Sequence, residues 1–380
     1  MKKTALIFGF VLTLGTAICA DLWTSFNKAE ILPATGPNGM KYEQVASGWK
    51  FRFVGQIELA GKGDLIGSLG LIAMTDDGWI LITDPKDTNI KLFDPAGEYV
   101  KSWGRKGQGP GEFQYVGTMD YRKPFLTVAD AGRGVQIFER KAKDDFRLVS
   151  HETSVPVTDP RRRIISYHDK MIIDEVAWDK NKTPYHLFLK SVASSEIIYV
   201  MPWAVRYGMN EGSDFMQKHI AYARELGLGM SYLDLVGDDV FYVWEGELRI
   251  LKINLKSKTW TSFGKETKNF VRPKLTGSTS VRPSERKFSH IWGLFADKEK
   301  VLLYYANPNP DEKRLKVFFQ IYDLNGTFLA ELSFTDSAEL IDIMRCVYHK
   351  ESGTLLIPGT IINETGTQIS HVIKKYQLSR

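Results

Sequence analysis

Residues 71–113 read LIAMTDDGWILITDPKDTNIKLFDPAGEYVKSWGRKGQGPGEF, and this stretch decides the fold. It opens on an apolar run, Leu71-Ile72-Ala73-Met74, and turns at Asp76-Asp77-Gly78. A second run, Trp79 to Asp84, leads to a third, Asn89-Ile90-Lys91-Leu92-Phe93-Asp94, then to a turn at Pro95-Ala96-Gly97 and a fourth run, Tyr99-Val100-Lys101-Ser102-Trp103. Short runs of β-branched and aromatic residues, bounded by Gly, Pro, Asp and Asn, are the mark of strands joined by tight turns. Four such strands in about 35 residues predict one blade of a β-propeller.

The unit recurs. Val128-Ala129-Asp130 answers Ile82-Thr83-Asp84, and Val135-Gln136-Ile137-Phe138 answers Ile90-Lys91-Leu92-Phe93, about 45 residues further on. Tyr322-Asp323-Leu324-Asn325-Gly326 repeats the Phe93 to Gly97 turn. Further blades fall near 160–203, 228–264, 287–334 and 341–378, which makes six. The last offers only three convincing strands, while an extra strand, Phe51 to Leu59, stands before the first blade. The expectation is an all-β, six-bladed propeller closed by an N-terminal strand that completes the last blade, an arrangement that leaves no raw edge between first and last blades.

The chain of 380 residues is 43% hydrophobic and 25% charged, as a globular protein is. Its formal charge is +5, and Lys2 and Lys3 supply two of those charges. So small an excess carries no basic footprint for nucleic acid and no polybasic run for a membrane surface. Lys2 and Lys3 precede an uncharged apolar stretch, Thr4 to Ala20, that closes on Gly15, Thr16, Ala17 and Ala20: the layout of a secretory signal peptide. Cleavage after Ala20 is the preferred reading, with cleavage after Ala17 or lipidation of Cys19 as alternatives. Residues 1–20 are thus read as a signal, 21–49 as an irregular lead-in with Pro33, Gly36, Pro37 and Gly39, and 50–380 as the propeller. The expected location is periplasmic or secreted, with no transmembrane segment after signal removal. Once Cys19 is gone, Cys346 has no partner for an internal disulfide, so the core must hold the fold, and Cys346 reads as a small buried hydrophobe.

Two insertions break the rhythm. Phe215, Met216, His219, Ile220, Ala223 and Leu226 fall at helical spacing and predict a short amphipathic helix within 206–228, either packed on the flank or serving as a lid or partner-binding element. Residues 265–287 carry Lys265, Lys268, Arg272, Lys274, Arg282, Arg286 and Lys287 against Glu266 and Glu285, a basic loop read chiefly as solvated.

The run from Ile82-Thr83-Asp84 through Phe93-Asp94 and Gly97 to the segment GRKGQGPGEF at 104–113 resembles the repeat of NHL-type six-bladed β-propellers, particularly the bacterial exported kind. The resemblance covers one blade well and a second in part. It implies recognition of a ligand or protein by loops on a rigid ring. Within the segment, Gly107, Gly109 and Gly111 are expected to permit positive φ and close approach, and Phe113 to wedge between neighbouring sheets. Asp84 and Asp130, at strand ends, are expected to accept backbone N–H bonds. No helix start follows the glycines, so a phosphate cradle is not the reading.

A propeller's site usually lies at one mouth of its central channel. The innermost strands assigned here bring Asp120, His168, Asp234, His290, Trp292 and Arg345 forward as candidate ligand-binding residues. The competing reading makes Asp120 and Arg345 a structural ion pair and the two histidines hydrogen-bonded strand residues. Related propellers include calcium-dependent lactonases and phosphotriesterases and zinc-dependent lyases. Here no cofactor or metal is expected: no ligand set for either ion is legible, the seven histidines show no HxxxH or HxH spacing, and there is no GxSxG elbow. The sequence therefore points to a binding or scaffolding module for a protein, peptide or carbohydrate ligand and not for nucleic acid. The alternative is a metal-dependent hydrolase or lyase at the channel mouth.

Overall fold

The computed structural model describes residues 48–59, 66–131, 133–153, 155, 163–178, 184–191, 196–202, 230–245, 248–273, 288–309, 314–334, 340–341, 345–362 and 369–380. Apart from a 3-10 assignment at Arg345, the regular secondary structure among them is β. Strand β1 (Lys50–Glu58) comes first. The first blade holds β2 (Ile72–Met74), β3 (Ile80–Asp84), β4 (Asn89–Phe93) and β5 (Tyr99–Trp103). The second holds β6 (Val116–Arg122), β7 (Phe125–Asp130), β8 (Gly134–Arg140) and β9 (Phe146–Glu152). Then come β10 (Ile164–Tyr167), β11 (Lys170–Trp178), β12 (Pro184–Ser191) and β13 (Ile197–Pro202), followed by β14 (Ser231–Val236), β15 (Asp239–Trp244), β16 (Ile250–Asn254) and β17 (Thr259–Phe263). The fifth blade is β18 (His290–Ala296), β19 (Lys300–Asn309), β20 (Arg314–Asp323) and β21 (Phe328–Phe334). The sixth is β22 (Leu340–Ile341), β23 (Val347–His349), β24 (Thr354–Ile362) and β25 (Ile369–Ser379), with β1 beside β25.

In the first five blades the strands pair in sequence order. The first strands of neighbouring blades touch, β2 with β6 and with β23, β6 with β10, and β14 with β18, so these strands line the axis of a closed ring. Burial follows from position. Every residue of β3 is buried because a sheet presses on each face, whereas β5 on the rim is largely exposed. Six hydrophobic clusters sit one at each seam; Leu81 and Leu92 meet Phe113 and Val128 between blades one and two, and Ile57, Ile72 and Ile82 meet Leu356 and Ile373 between blades one and six.

The N-terminal strand runs antiparallel to β25 from Lys50 opposite Ser379 to Glu58 opposite Val372. Phe51 also reaches blade five, edge-on to Phe319 at 4.9 Å. Stitches finish this seam: Leu59 N donates to His371 O (2.9 Å) and His349 Nε2 to Thr75 O (3.1 Å).

A recurrent latch delivers three of the inner strands, β2, β6 and β14, to their places. Buried Asp84, at the end of β3, accepts the N–H groups of Gly67 (2.7 Å) and Ser68 (3.0 Å) from the segment leading into β2. Asp130, at the end of β7, takes Gln114 N and Tyr115 N, both at 2.6 Å, ahead of β6. Glu245, just past β15, takes Met230 N at 2.9 Å ahead of β14. In each case a buried carboxylate replaces the hydrogen bonds that linker amides would otherwise make to water.

The segment at 104–113 is held in the same manner. Glu112 accepts N–H bonds from Gln108 and Gly109, both 2.9 Å, and Gln136 of β8 grips the chain through Gly111 N (2.7 Å) and Glu112 O (2.8 Å). Phe113 is fully buried as the wedge between blades. Of the three glycines only Gly111 has positive φ, +78°. Gly107 serves by close approach instead: a Cβ there would stand 2.1 Å from the Glu112 carboxylate.

Of the basic loop, residues 265–273 are described. Lys265 O accepts from Gln320 Nε2 (2.9 Å), while Thr267 Oγ1 (2.8 Å) and Asn269 Nδ2 (2.6 Å) donate to Glu331, so this part is fastened to blade five rather than loose in solvent. The expected helix within 206–228, the rest of the basic loop, the signal and most of the lead-in lie outside the described residues. Cys346 is buried in the seam between blades five and six.

Candidate functional site

The inner strands enclose a cavity of about 650 Å³ on the ring axis. Its waist is apolar, with Ile72, Met119, Ile165, Leu233, Leu294 and Val347 contributed by the six blades in turn. Polar side chains gather at its two ends.

At the end toward which the inner strands run, Asp234 of β14 organises a knot of four charges. Its Oδ1 accepts from the Arg122 guanidinium at the end of β6 and from Lys350 Nζ (2.7 Å) just past β23. Its Oδ2 accepts Ala296 N of β18 at 2.7 Å. Arg122 Nε also donates to Asp120 Oδ2 (2.9 Å), and Lys350 Nζ to Leu235 O (3.2 Å). Blades two, four and six alternate around the ring, so a single carboxylate joins three of them across the channel and forms a floor. Burial alone would raise the Asp234 pKa; the Lys350 and Arg122 charges and the Ala296 N–H outweigh it and hold the carboxyl at about 2. Burial lowers Arg122 too, but Asp120 and Asp234 more than offset it and its pKa is raised. For Lys350, burial and the neighbouring Arg122 outweigh Asp234, so the ammonium is less basic than usual while still paired.

At the other end, where the inner strands begin, the mouth is lined by Arg163, Tyr232, Glu245, His290, Trp292 and Arg345. His290 opens β18 and stacks on Phe288, ring centroids 4.8 Å apart. Trp292 is the bulged residue of the same strand, between Ile291 and Gly293, and packs against the seam of blades five and six. Arg345 precedes β23 rather than sitting in an inner strand, and its guanidinium donates to Leu69 O in the segment entering blade one.

Of the six residues singled out from sequence, Asp120, Asp234, His290, Trp292 and Arg345 face this one cavity. His168 does not. It sits in the turn between β10 and β11 at φ +52°, its side chain 71% exposed and its Nε2 3.8 Å from Asp238. The strand stops at Tyr167, one residue short of carrying His168 inward. The Asp120–Arg345 pairing is not made either: Asp120 pairs with Arg122. Sequence reasoning missed Arg122, Lys350 and Arg163. Arg122 had a signal, since it stands two residues after Asp120 and shares its strand face. Lys350, one residue beyond a three-residue strand, had none.

Fold and channel together define a six-bladed β-propeller. A family model described as a 6-bladed beta-propeller, DUF5128, matches residues 50–123. Among solved structures the chain is similar to a DUF4221 family member from Bacteroides vulgatus, at 11% identity with TM-score 0.60, covering 88% of this chain and 99% of that one. It is also similar to a Bacteroides fragilis protein named as a presumptive exported protein, at 12% identity and TM-score 0.53, covering 89% and 97%. At such identities the likeness carries the fold alone. These findings stand at the level of the six-bladed ring, without the NHL repeat. No curated protein matches the chain. Among the described residues, no helix is long and apolar enough to cross a membrane.

Proposed function

We propose that the protein is an exported binding or scaffolding module that recognises a protein, peptide or glycan ligand at the mouth of the channel, after removal of a signal at residues 1–20. The observation that carries this reading is the cavity itself: aromatic, guanidinium, imidazole and carboxylate groups from separate blades face one 650 Å³ space, a combination suited to a polar ligand. The ring supplies rigidity, so the mouth is organised before binding and little ordering entropy opposes it. A metal-dependent hydrolase or lyase has weaker support, because the floor carboxylates Asp120 and Asp234 are committed to a guanidinium and an ammonium that a divalent ion would have to displace.

The test is a binding screen of peptide and oligosaccharide arrays against the wild-type protein and Trp292→Ala. Ligands retained by the wild type and lost by the variant support the reading. Equal retention by both removes the mouth from it. N-terminal sequencing of the exported protein should find Asp21; an acylated Cys19 would establish lipidation instead.

A further inference from the structure

Ligand recognition at the mouth leaves the floor of the channel without a chemical role of its own. We infer that Lys350 is a reactive amine, which condenses with an aldehyde carried on an apolar body to form an imine inside the channel. This stands on the floor residues and does not rest on the binding reading of the mouth.

Lys350 follows β23, and its side chain lines the axial cavity, 32% accessible where that of Asp234 is 6%. Its Nζ donates to Asp234 Oδ1 (2.7 Å) and to Leu235 O (3.2 Å). The same carboxylate oxygen accepts the Arg122 guanidinium, so two cations share one oxygen. An arginine keeps its proton in a protein, whereas a buried lysine gives one up readily, so Lys350 is the member that can relieve this crowding. Burial and the Arg122 charge outweigh the attraction of Asp234 and make Lys350 less basic than an ordinary lysine. Loss of one proton sacrifices neither hydrogen bond. A neutral amine keeps two N–H groups, one for Asp234 and one for Leu235, and gains the lone pair that a nucleophile needs.

Other buried lysines of the ring are built in the opposite sense. Lys91 lies between Asp84 (3.3 Å) and Asp87 (2.7 Å), and these carboxylates overcome burial and raise its pKa. Lys300 is held by Asp297 (2.9 Å) and Glu299 (3.8 Å). Lys350 differs from both in sharing its acceptor with a guanidinium.

The condensation balances without an oxidant or reductant. The Nζ lone pair forms the N–C bond to the carbonyl carbon, and the carbonyl oxygen takes a proton from nitrogen to become a hydroxyl. That hydroxyl leaves as water with the second nitrogen proton, and the nitrogen lone pair closes the C=N bond. Reprotonation of the imine from solvent restores a cation beside Asp234, so the charge balance of the floor survives the reaction. Met119, Leu233, Leu294 and Val347 form the apolar wall next to this amine and suit a ligand whose body is apolar.

The test treats the folded wild-type protein at neutral pH with butanal or glyceraldehyde in the presence of sodium cyanoborohydride, which reduces each imine to a stable N-alkyl lysine, and maps the sites by peptide mass. With butanal, Lys350 should be alkylated at least ~10-fold faster than Lys256 and Lys298, exposed lysines in turns at the same end of the ring. That ratio should fall with glyceraldehyde, which offers the apolar wall nothing to bury. In Lys350→Arg, which keeps a cation for Asp234, the first adduct seen in the intact mass should be lost; the wild-type map decides even where this variant does not fold. Lys350 modified no faster than Lys256 and Lys298 by either aldehyde overturns the inference and leaves the reading of the mouth standing. A ratio as high for glyceraldehyde as for butanal overturns the apolar body of the ligand.

Discussion

The floor and the mouth of the cavity are framed by the same inner strands and differ in what stands beside their charges. At the floor, Asp234 gathers Arg122, Lys350 and the Ala296 amide from three other blades, and Asp120 pairs with Arg122 of its own strand. At the mouth, Arg163, Arg345 and Glu245 line the described wall together with Tyr232, His290 and Trp292, and Glu245 accepts the Met230 amide. The difference separates two duties. Charges paired between blades tie the inner strands together, whereas the mouth sets polar groups beside aromatic ones, the combination on which the proposed ligand binding rests.

The largest test of that contrast is Asp234→Ala, which strands a guanidinium and an ammonium without their acceptor. Urea unfolding should show a loss of about 3–5 kcal/mol, as for other broken buried pairs. A loss under about 1 kcal/mol would mean the floor does not hold the ring.

Acid should reach the same carboxylate. With its folded pKa at about 2, below the ordinary aspartate value of about 3.9, Asp234 binds its proton more weakly in the folded than in the unfolded state. Its contribution is therefore complete above pH 4 and is lost as pH falls toward 2, by about 2 kcal/mol. Unfolding curves collected across that window should converge with those of Asp234→Asn at the acid end; curves that stay parallel would contradict the assignment. Lys350→Met, which leaves Asp234 paired with Arg122, should cost less, about 1.5 kcal/mol.

The smallest effect belongs to the mouth. Arg163→Gln should change stability by no more than about 0.5 kcal/mol in the same urea series. A loss as large as that of the floor variants would erase the distinction and make Arg163 structural.

Much of this architecture was legible in the chain because turn chemistry and strand rhythm are local. Asp76-Asp77-Gly78 and Pro95-Ala96-Gly97 each bracket a hairpin that forms as read, and Asp84 and Asp130 bind backbone amides as their strand-end positions implied. The site was legible only in part. Asp120 and Asp234 lie well inside β6 and β14, where period two fixes the side chain's face. His168 lies one residue past the end of its strand, Arg345 ahead of its strand, and Lys350 beyond a strand of three residues. At those places a one-residue difference in where pairing stops decides between channel and rim, and composition does not record it.

The placing of β1 has a consequence for folding. Lys50 pairs with Ser379, so the first of the described strands needs the last one as its neighbour. Without β25, Phe51, Phe53 and Ile57 have no strand partner, while each of the first five blades pairs its strands in sequence order. Ring closure thus depends on a pairing between the two ends of the described chain, the kind of long-range contact whose loop-closure entropy slows folding.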